Sequence, residues 1–200
     1  IRFNFESAGN IMYALSKATN IRKNNDGEYA ILGIPYAQYV KGEFDFSKNI
    51  RIDHRNSFAF HIGMGIAVPY GNAKTIPFEK QYFSGGANSV RGWTVRDLGP
   101  GSFVRDENTN LLDQSGDIKL DASIEYRSKL FWKFQGAIFV DAGNIWTIRD
   151  YDNQPGGVFK FDKFYKQIAV AYGLGLRLDL DFFILRFDGG MKALNPVYEK

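Results

Sequence analysis

The stretch Ser57–Val68, SFAFHIGMGIAV, alternates two kinds of side chain without a break. Phe58, Phe60, Ile62, Met64, Ile66 and Val68 form one set; Ser57, Ala59, His61, Gly63, Gly65 and Ala67 form the other. A period of two belongs to an extended strand, whose successive side chains point to opposite faces. One face of this strand is therefore bulky and apolar, and the other is small or polar.

The same partition recurs along the chain. From Asp117 to Tyr126 the residues Ile118, Leu120, Ala122, Ile124 and Tyr126 oppose Asp117, Lys119, Asp121, Ser123 and Glu125. From Ile168 to Asp181, IAVAYGLGLRLDLD, valine, tyrosine and leucines oppose alanines, Gly173, Gly175, Arg177, Asp179 and Asp181. The pattern predicts further strands over Ile1–Leu15, interrupted at Gly9, and over Tyr36–Ile50, Leu130–Asn144 and Phe182–Ala193. About seven strands result, joined as hairpins with no convincing amphipathic helix between them, so the expected fold is an all-β antiparallel meander.

Alternation alone fits a soluble sandwich or a transmembrane barrel, in which the bulky face meets lipid and the lumen takes the charges and glycines. Strand length favours the barrel, since about 9 to 11 tilted residues cross a bilayer whereas globular strands average about 5 to 6. The glycine pairs on the polar faces, Gly63 with Gly65 and Gly173 with Gly175, point the same way. Tyr36, Tyr39, Tyr126, Trp132 and Trp146 fall near strand ends, where aromatic girdles sit. Single-chain bacterial barrels have even strand counts from about 8 upward, so about seven strands are expected to be closed by segments not in this chain. The opening IRFNFES already alternates, which reads as a cut through a larger protein.

Composition removes other classes. The chain has no cysteine and only two histidines, His54 and His61, which excludes thiolate metal sites and most imidazole clusters. The net charge of +3 is spread among 22 acidic residues and makes no basic block, so nucleic acid is not an expected partner. No apolar run is long enough for a membrane-spanning helix. Asp179 and Asp181 are spaced to share a face, but such a pair on a polar strand face reads as solvated. GMG and GLG precede no helix and are not nucleotide fingerprints. A non-enzymatic protein without a cofactor is expected.

Between the predicted strands, residues 71–116 form a connection far longer than the roughly 12 to 15 residues at which loops become uncommon and usually functional. It contains QYFSGGANSVRGWTVRDLGPGS, Gln81 to Ser102. Gly85, Gly86, Gly99 and Gly101 suit tight turns, and Pro100 stiffens the exit. Arg91 is the candidate functional residue. Glu125 lies on the polar face of its strand, and Asp141, in IFVDAGNIW, shares the face of Gln135 and Gly143. Both carboxylates would enter one lumen from consecutive strands, where a planar guanidinium can accept them together.

VRGW in a glycine-rich loop, followed by ASIEYR and IFVDAGNIW, resembles the carboxy-terminal barrel of the BamA/TamA family of outer-membrane β-barrel assembly proteins. The longer run around it is more similar to the TamA-type branch, including its Bacteroidota lipoprotein variant. The resemblance implies that Val90, Arg91, Gly92 and Trp93 form a tetrad on an extracellular loop folded into the lumen. Arg91 would contact Glu125 and Asp141. It further implies a barrel of about sixteen strands, with residues 1–200 supplying the carboxy-terminal part. The final strand and the periplasmic POTRA domains would lie outside the chain. The implied location is the outer membrane of a Gram-negative bacterium. The implied partners are outer-membrane lipid, unfolded β-barrel or autotransporter clients, and accessory periplasmic or lipoprotein subunits. The implied function is assembly and insertion of such clients; a two-partner secretion transporter, which shares the tetrad, and a passive pore are the alternatives.

Overall fold

The computed structural model describes residues 1–25, 27–105 and 113–197. Residues 106–112 of the long connection and the terminal Tyr198–Lys200 lie outside the described residues. One seven-stranded antiparallel sheet dominates, and every neighbour in it is the next long strand in sequence. Its members are β1 (Arg2–Ala8), β4 (Tyr39–Arg51), β5 (Asn56–Pro69), β6 (Ile118–Lys129), β7 (Phe134–Trp146), β8 (Ala169–Asp179) and β9 (Ile184–Leu194). A two-stranded ribbon, β2 (Ala30–Ile31) with β3 (Ile34–Pro35), lies in the β1–β4 connection. β1 and β9 are not paired with each other, so the sheet is an open arc of wall.

The first expected strand is shorter than its alternation suggests. Backbone extension stops at Ala8, and Asn10–Ala18 forms a helix, α1. Gly9 makes the switch at φ +79°, pressed so close to Ala37 that an added Cβ would stand 2.3 Å from its carbonyl oxygen. Only glycine accepts both that dihedral and that approach. The expectation of hairpins without helices therefore fails at this connection. β7 and β9 also begin later than predicted, because Trp132 and Asp181 take positive φ in tight turns. Asp181 thus leaves the strand face it was expected to share with Asp179, and pairs with Lys133.

Cross-strand register puts the two side-chain sets on opposite faces throughout. Gly65 pairs with Glu43 and Lys119, whereas Met64 pairs with Phe44 and Leu120. The outer face exposes Phe3, Ile62, Met64, Ile124, Ile138, Val140, Leu174 and Phe187, while Asp121, Glu125 and Asp141 are buried on the inner one. This inverts a water-soluble domain, where a contiguous apolar surface of such extent is rare. In lipid the same arrangement is the stable one.

Connections sort by length. Short turns at 52–55, 130–133 and 180–183 lie at one end, and the connections 9–38, 70–117 and 147–168 lie at the other. Transmembrane barrels keep short turns on the periplasmic side and long loops outside, so the long-loop end is extracellular.

Two expected girdle aromatics have other roles. Tyr39 points inward, buried, and its hydroxyl donates to Glu6 at 2.6 Å. Trp146 is on the outer face but fully covered by Phe159 and Phe164, which meet its ring edge-on. The residues folded over it come from a connection whose packing alternation cannot reveal.

Two of the extracellular connections, 9–38 and 70–117, are joined by Asn72. Its side chain accepts the Tyr29 N–H at 2.5 Å and donates to the Tyr29 and Tyr36 carbonyls, both at 2.9 Å. Asn72→Ala would remove all three bonds from these part-buried groups, at a cost of about 1 kcal/mol. The expected result is faster proteolytic cutting within residues 20–37 with the sheet intact, read by limited proteolysis and mass mapping. Unchanged cutting would refute the tie.

Candidate functional site

The 70–117 connection returns across the inner face of β6 to β9. Its base is a bridge between Tyr82 and Gly116, followed by one between Ser84 and Leu98. The glycines named from the sequence all take left-handed backbone: Gly85 at φ +95°, Gly86 at +85°, Gly99 at +82° and Gly101 at +55°. Between these turns the Gly86 N–H donates to the Trp93 carbonyl at 2.8 Å, closing a compact tip that carries residues 87–92.

The tip is anchored by packing before any charge is considered. Val90, Trp93 and Leu98 are buried against Ala169 and Ala171 at the start of β8. Burying side chains of this size stabilises by about 1.5 to 3 kcal/mol each. Gly92 lies flat on the wall, with the Ala171 Cβ only 2.8 Å from where its own Cβ would be. Lys192 from β9 stands over the Trp93 ring at 5.0 Å.

Arg91 is thereby driven into the wall with its side chain 6% exposed. Nε and Nη2 form a forked pair with the two oxygens of Asp141, at 2.7 and 2.8 Å. Nη1 donates to Glu125 at 2.7 Å and to Asp188 at 3.2 Å, and Nη2 also reaches Ser123 Oγ at 3.3 Å. All five guanidinium N–H groups are thus used. The Arg91 backbone N–H donates to Asp141 as well, at 3.1 Å. Burial by itself would lower the guanidinium's affinity for its proton; the hydrogen bonds to Asp141 and Glu125 outweigh it, and the group titrates above an ordinary arginine.

The guanidinium plane rests on Phe139, its carbon 3.4 Å from the ring centroid. A cation over an aromatic face gains from the ring quadrupole, more so when desolvated. Phe139 has room to lie there because β8 carries Gly173 opposite it; a Cβ at 173 would come within 2.4 Å of the ring. The glycine on the polar face of IAVAYGLG is therefore a packing requirement of the Arg91 site.

Sequence reasoning identified Arg91, Glu125 and Asp141, and the structure brings all three together. It missed Ser123, Phe139 and Asp188, and the outer ring of arginines. Arg127 and Arg177 both pair with Glu125, and Arg186 pairs with Asp188 at 3.0 Å. Ser123 and Arg127 share the alternation face of Glu125, and Phe139 is a bulky residue on the small-residue face of its strand. Those signals were present. Asp188 arrives through β8–β9 pairing, in which it faces Gly175, and no local pattern marks it.

An open arc of long antiparallel strands, apolar outside and charged inside, with a loop fixed to its inner face, defines a segment of a transmembrane β-barrel wall. The Omp85 superfamily domain matches residues 24–198, and the chain belongs to that superfamily, as a member of the BamA/TamA family. It is an outer-membrane chain of a Gram-negative bacterium. A curated relative, the outer membrane protein assembly factor BamA of Neisseria meningitidis serogroup B, is 35% identical over 99 residues, covering 45% of this chain and 12% of that protein. The crystal structure of BamA from Haemophilus ducreyi lacking POTRA domains 1–3 shares the fold, with a TM-score of 0.62, 22% identity, and coverage of 78% of this chain and 32% of that one. CdiB from Acinetobacter baumannii matches at a TM-score of 0.48 and 18% identity, over 82% of this chain and 25% of that one. The chain therefore spans about an eighth of the curated relative.

Proposed function

We propose that this chain is wall and loop lock of an outer-membrane factor that folds and inserts β-barrel or autotransporter clients. The observation that carries the reading is the saturation of Arg91: five N–H donors divided among β6, β7 and β9 hold the loop against the lumenal wall. A passive pore has no use for an ionic network that blocks its own lumen. A machine whose work is strand pairing and bilayer deformation does, because a stiff, closed wall lets conformational change concentrate elsewhere in the barrel. Val90, Gly92 and Trp93 seat the tip, Arg91 fastens it, and Glu125 and Asp141 receive it. Periplasmic or lipoprotein subunits would deliver clients from the inner side, and outer-membrane lipid surrounds the wall. The curated relative is a BamA, and nothing in the geometry singles out the TamA-type branch.

Reconstituted full-length protein tests this with an unfolded outer-membrane barrel as client. Folded client should accumulate faster in proteoliposomes than in empty liposomes, as seen by altered gel migration without boiling. Arg91→Lys, which keeps the charge but not the planar fork, should slow this step while leaving the protein inserted. Client folding at the rate of empty liposomes would reject the assembly function; a fully active Arg91→Lys would reject the fork's part in it.

A further inference from the structure

The lipid-facing side contains a recess outside the Arg91 network. Its floor is Gly42, the outward residue of β4 between Phe5 and Ile66, and a Cβ there would meet no heavy atom within 4 Å. Phe5, Phe44, Ile66, Trp146, Phe159 and Phe164 are among its walls, and the recess holds about 600 Å³. That is within the roughly 300 to 1,000 Å³ of clefts that enclose small ligands. Five strands contribute, β1 and β4 to β7, and the rim is completed by the 147–168 connection, so the recess opens to the extracellular half of the bilayer.

The rim has a second character. Phe159 and Phe164 belong to FKFDKFYK, Phe159 to Lys166, which interleaves aromatics with three lysines and one aspartate. Lys160, Lys163 and Lys166 are exposed, and so are Phe161, at 85%, and Tyr165, at 59%. Large exposed aromatics beside lysines are costly in water and stable at a membrane interface, where the rings enter the headgroup layer and the ammonium groups meet lipid phosphate.

We propose that this groove binds one lipid of the outer leaflet, a phosphorylated glycolipid of the lipid A class. An acyl chain lies over Gly42 between Phe5 and Phe164, and the headgroup phosphate is held by Lys160, Lys163 and Lys166. The position selects the lipid. The extracellular leaflet of a Gram-negative outer membrane is built from phosphorylated glycolipid, and groove and lysines both sit at that end. The inference rests on the membrane orientation of the wall; it is independent of what the machine assembles.

Native mass spectrometry of the intact protein in detergent tests it, with diphosphoryl lipid A, dephosphorylated lipid A and phosphatidylglycerol as separate probes. One diphosphoryl lipid A should remain bound, on the order of a hundredfold tighter than the dephosphorylated form, from about fivefold per lysine near an anionic headgroup. The triple variant Lys160→Gln, Lys163→Gln, Lys166→Gln should erase that preference. Gly42→Phe, whose ring enters open space, should weaken lipid A by about tenfold or more, equivalent to losing roughly two buried methylenes. Its unfolding midpoint should not change. Equal binding of phosphorylated and dephosphorylated lipid, or of phosphatidylglycerol and lipid A, overturns the assignment, as does Gly42→Phe binding like the wild type. None of these outcomes alters client folding, because no groove residue touches Arg91.

Discussion

Arg91→Ala is expected to lower the stability of the full-length barrel by about 3 to 5 kcal/mol, the usual cost of removing one partner from a buried ion pair. The three acidic partners will not suffer equally. Glu125 keeps Arg127 and Arg177, and Asp188 keeps Arg186. Asp141 is completely buried and, among the described residues, hydrogen-bonds through its carboxylate to Arg91 alone. The loss should therefore concentrate on Asp141. Double-mutant cycles give the readout: coupling between Arg91 and Asp141 should lie at the upper end of the roughly 0.5 to 3 kcal/mol seen for residues in contact, and that between Arg91 and Asp188 at the lower end. Denaturant unfolding in detergent, followed by the shift in gel migration, measures each corner. A midpoint unmoved by Arg91→Ala would show that the loop stays without its arginine, and the lock would be discarded.

An equally large effect is expected from a residue that carries no charge. Gly190 of β9 faces the loop tip, and a Cβ there would stand 2.4 Å from the Arg91 carbonyl oxygen and 3.1 Å from the Gly92 nitrogen. Both neighbours are backbone, so the tip would have to lift. Gly190→Ala should then forfeit the Arg91 pairings together with the burial of Val90 and Trp93, a loss of at least about 3 to 5 kcal/mol. The neighbouring Gly189 points outward, and the nearest atom to its added Cβ is 4.0 Å away. Gly189→Ala is the matched control and should change little. In planar bilayers the Gly190→Ala barrel should show larger and steadier conductance than either the wild type or the control. Indistinguishable conductance for the two alanine variants would mean that the tip does not occlude the lumen.

The arginine ring around the site gives the network its margin. Counting only side chains in contact, Glu125, Asp141 and Asp188 are met by Arg91, Arg127, Arg177 and Arg186. The acids are consequently neutralised with one positive charge to spare.

What could be read from the sequence follows a simple physical division. A strand's side chains obey a period of two whatever surrounds it, so the seven strands, their inner and outer faces, and the inward placement of Glu125 and Asp141 were all present in alternation. The long connection and its turn glycines were equally visible, because length and left-handed backbone are local properties. The same rule marked the interruption at Gly9 but misled beyond it, where the expected continuation to Leu15 is α1, since the helix is stabilised by contacts such as the one between Ser16 and Tyr36 that no local pattern encodes. It misled again at Tyr39 and Trp146, whose burial depends on what folds over them.

Tertiary structure alone decided which partners meet. Asp188 lies 97 residues from Arg91 and joins it only because β9 pairs beside β8 in one register. Phe139 becomes a platform for the guanidinium only because Gly173 leaves the space opposite. Sequence determined the two faces of the wall, since that is a property of each strand by itself; the site on its inner face required cross-strand register and loop packing, which arise only when distant segments share one surface.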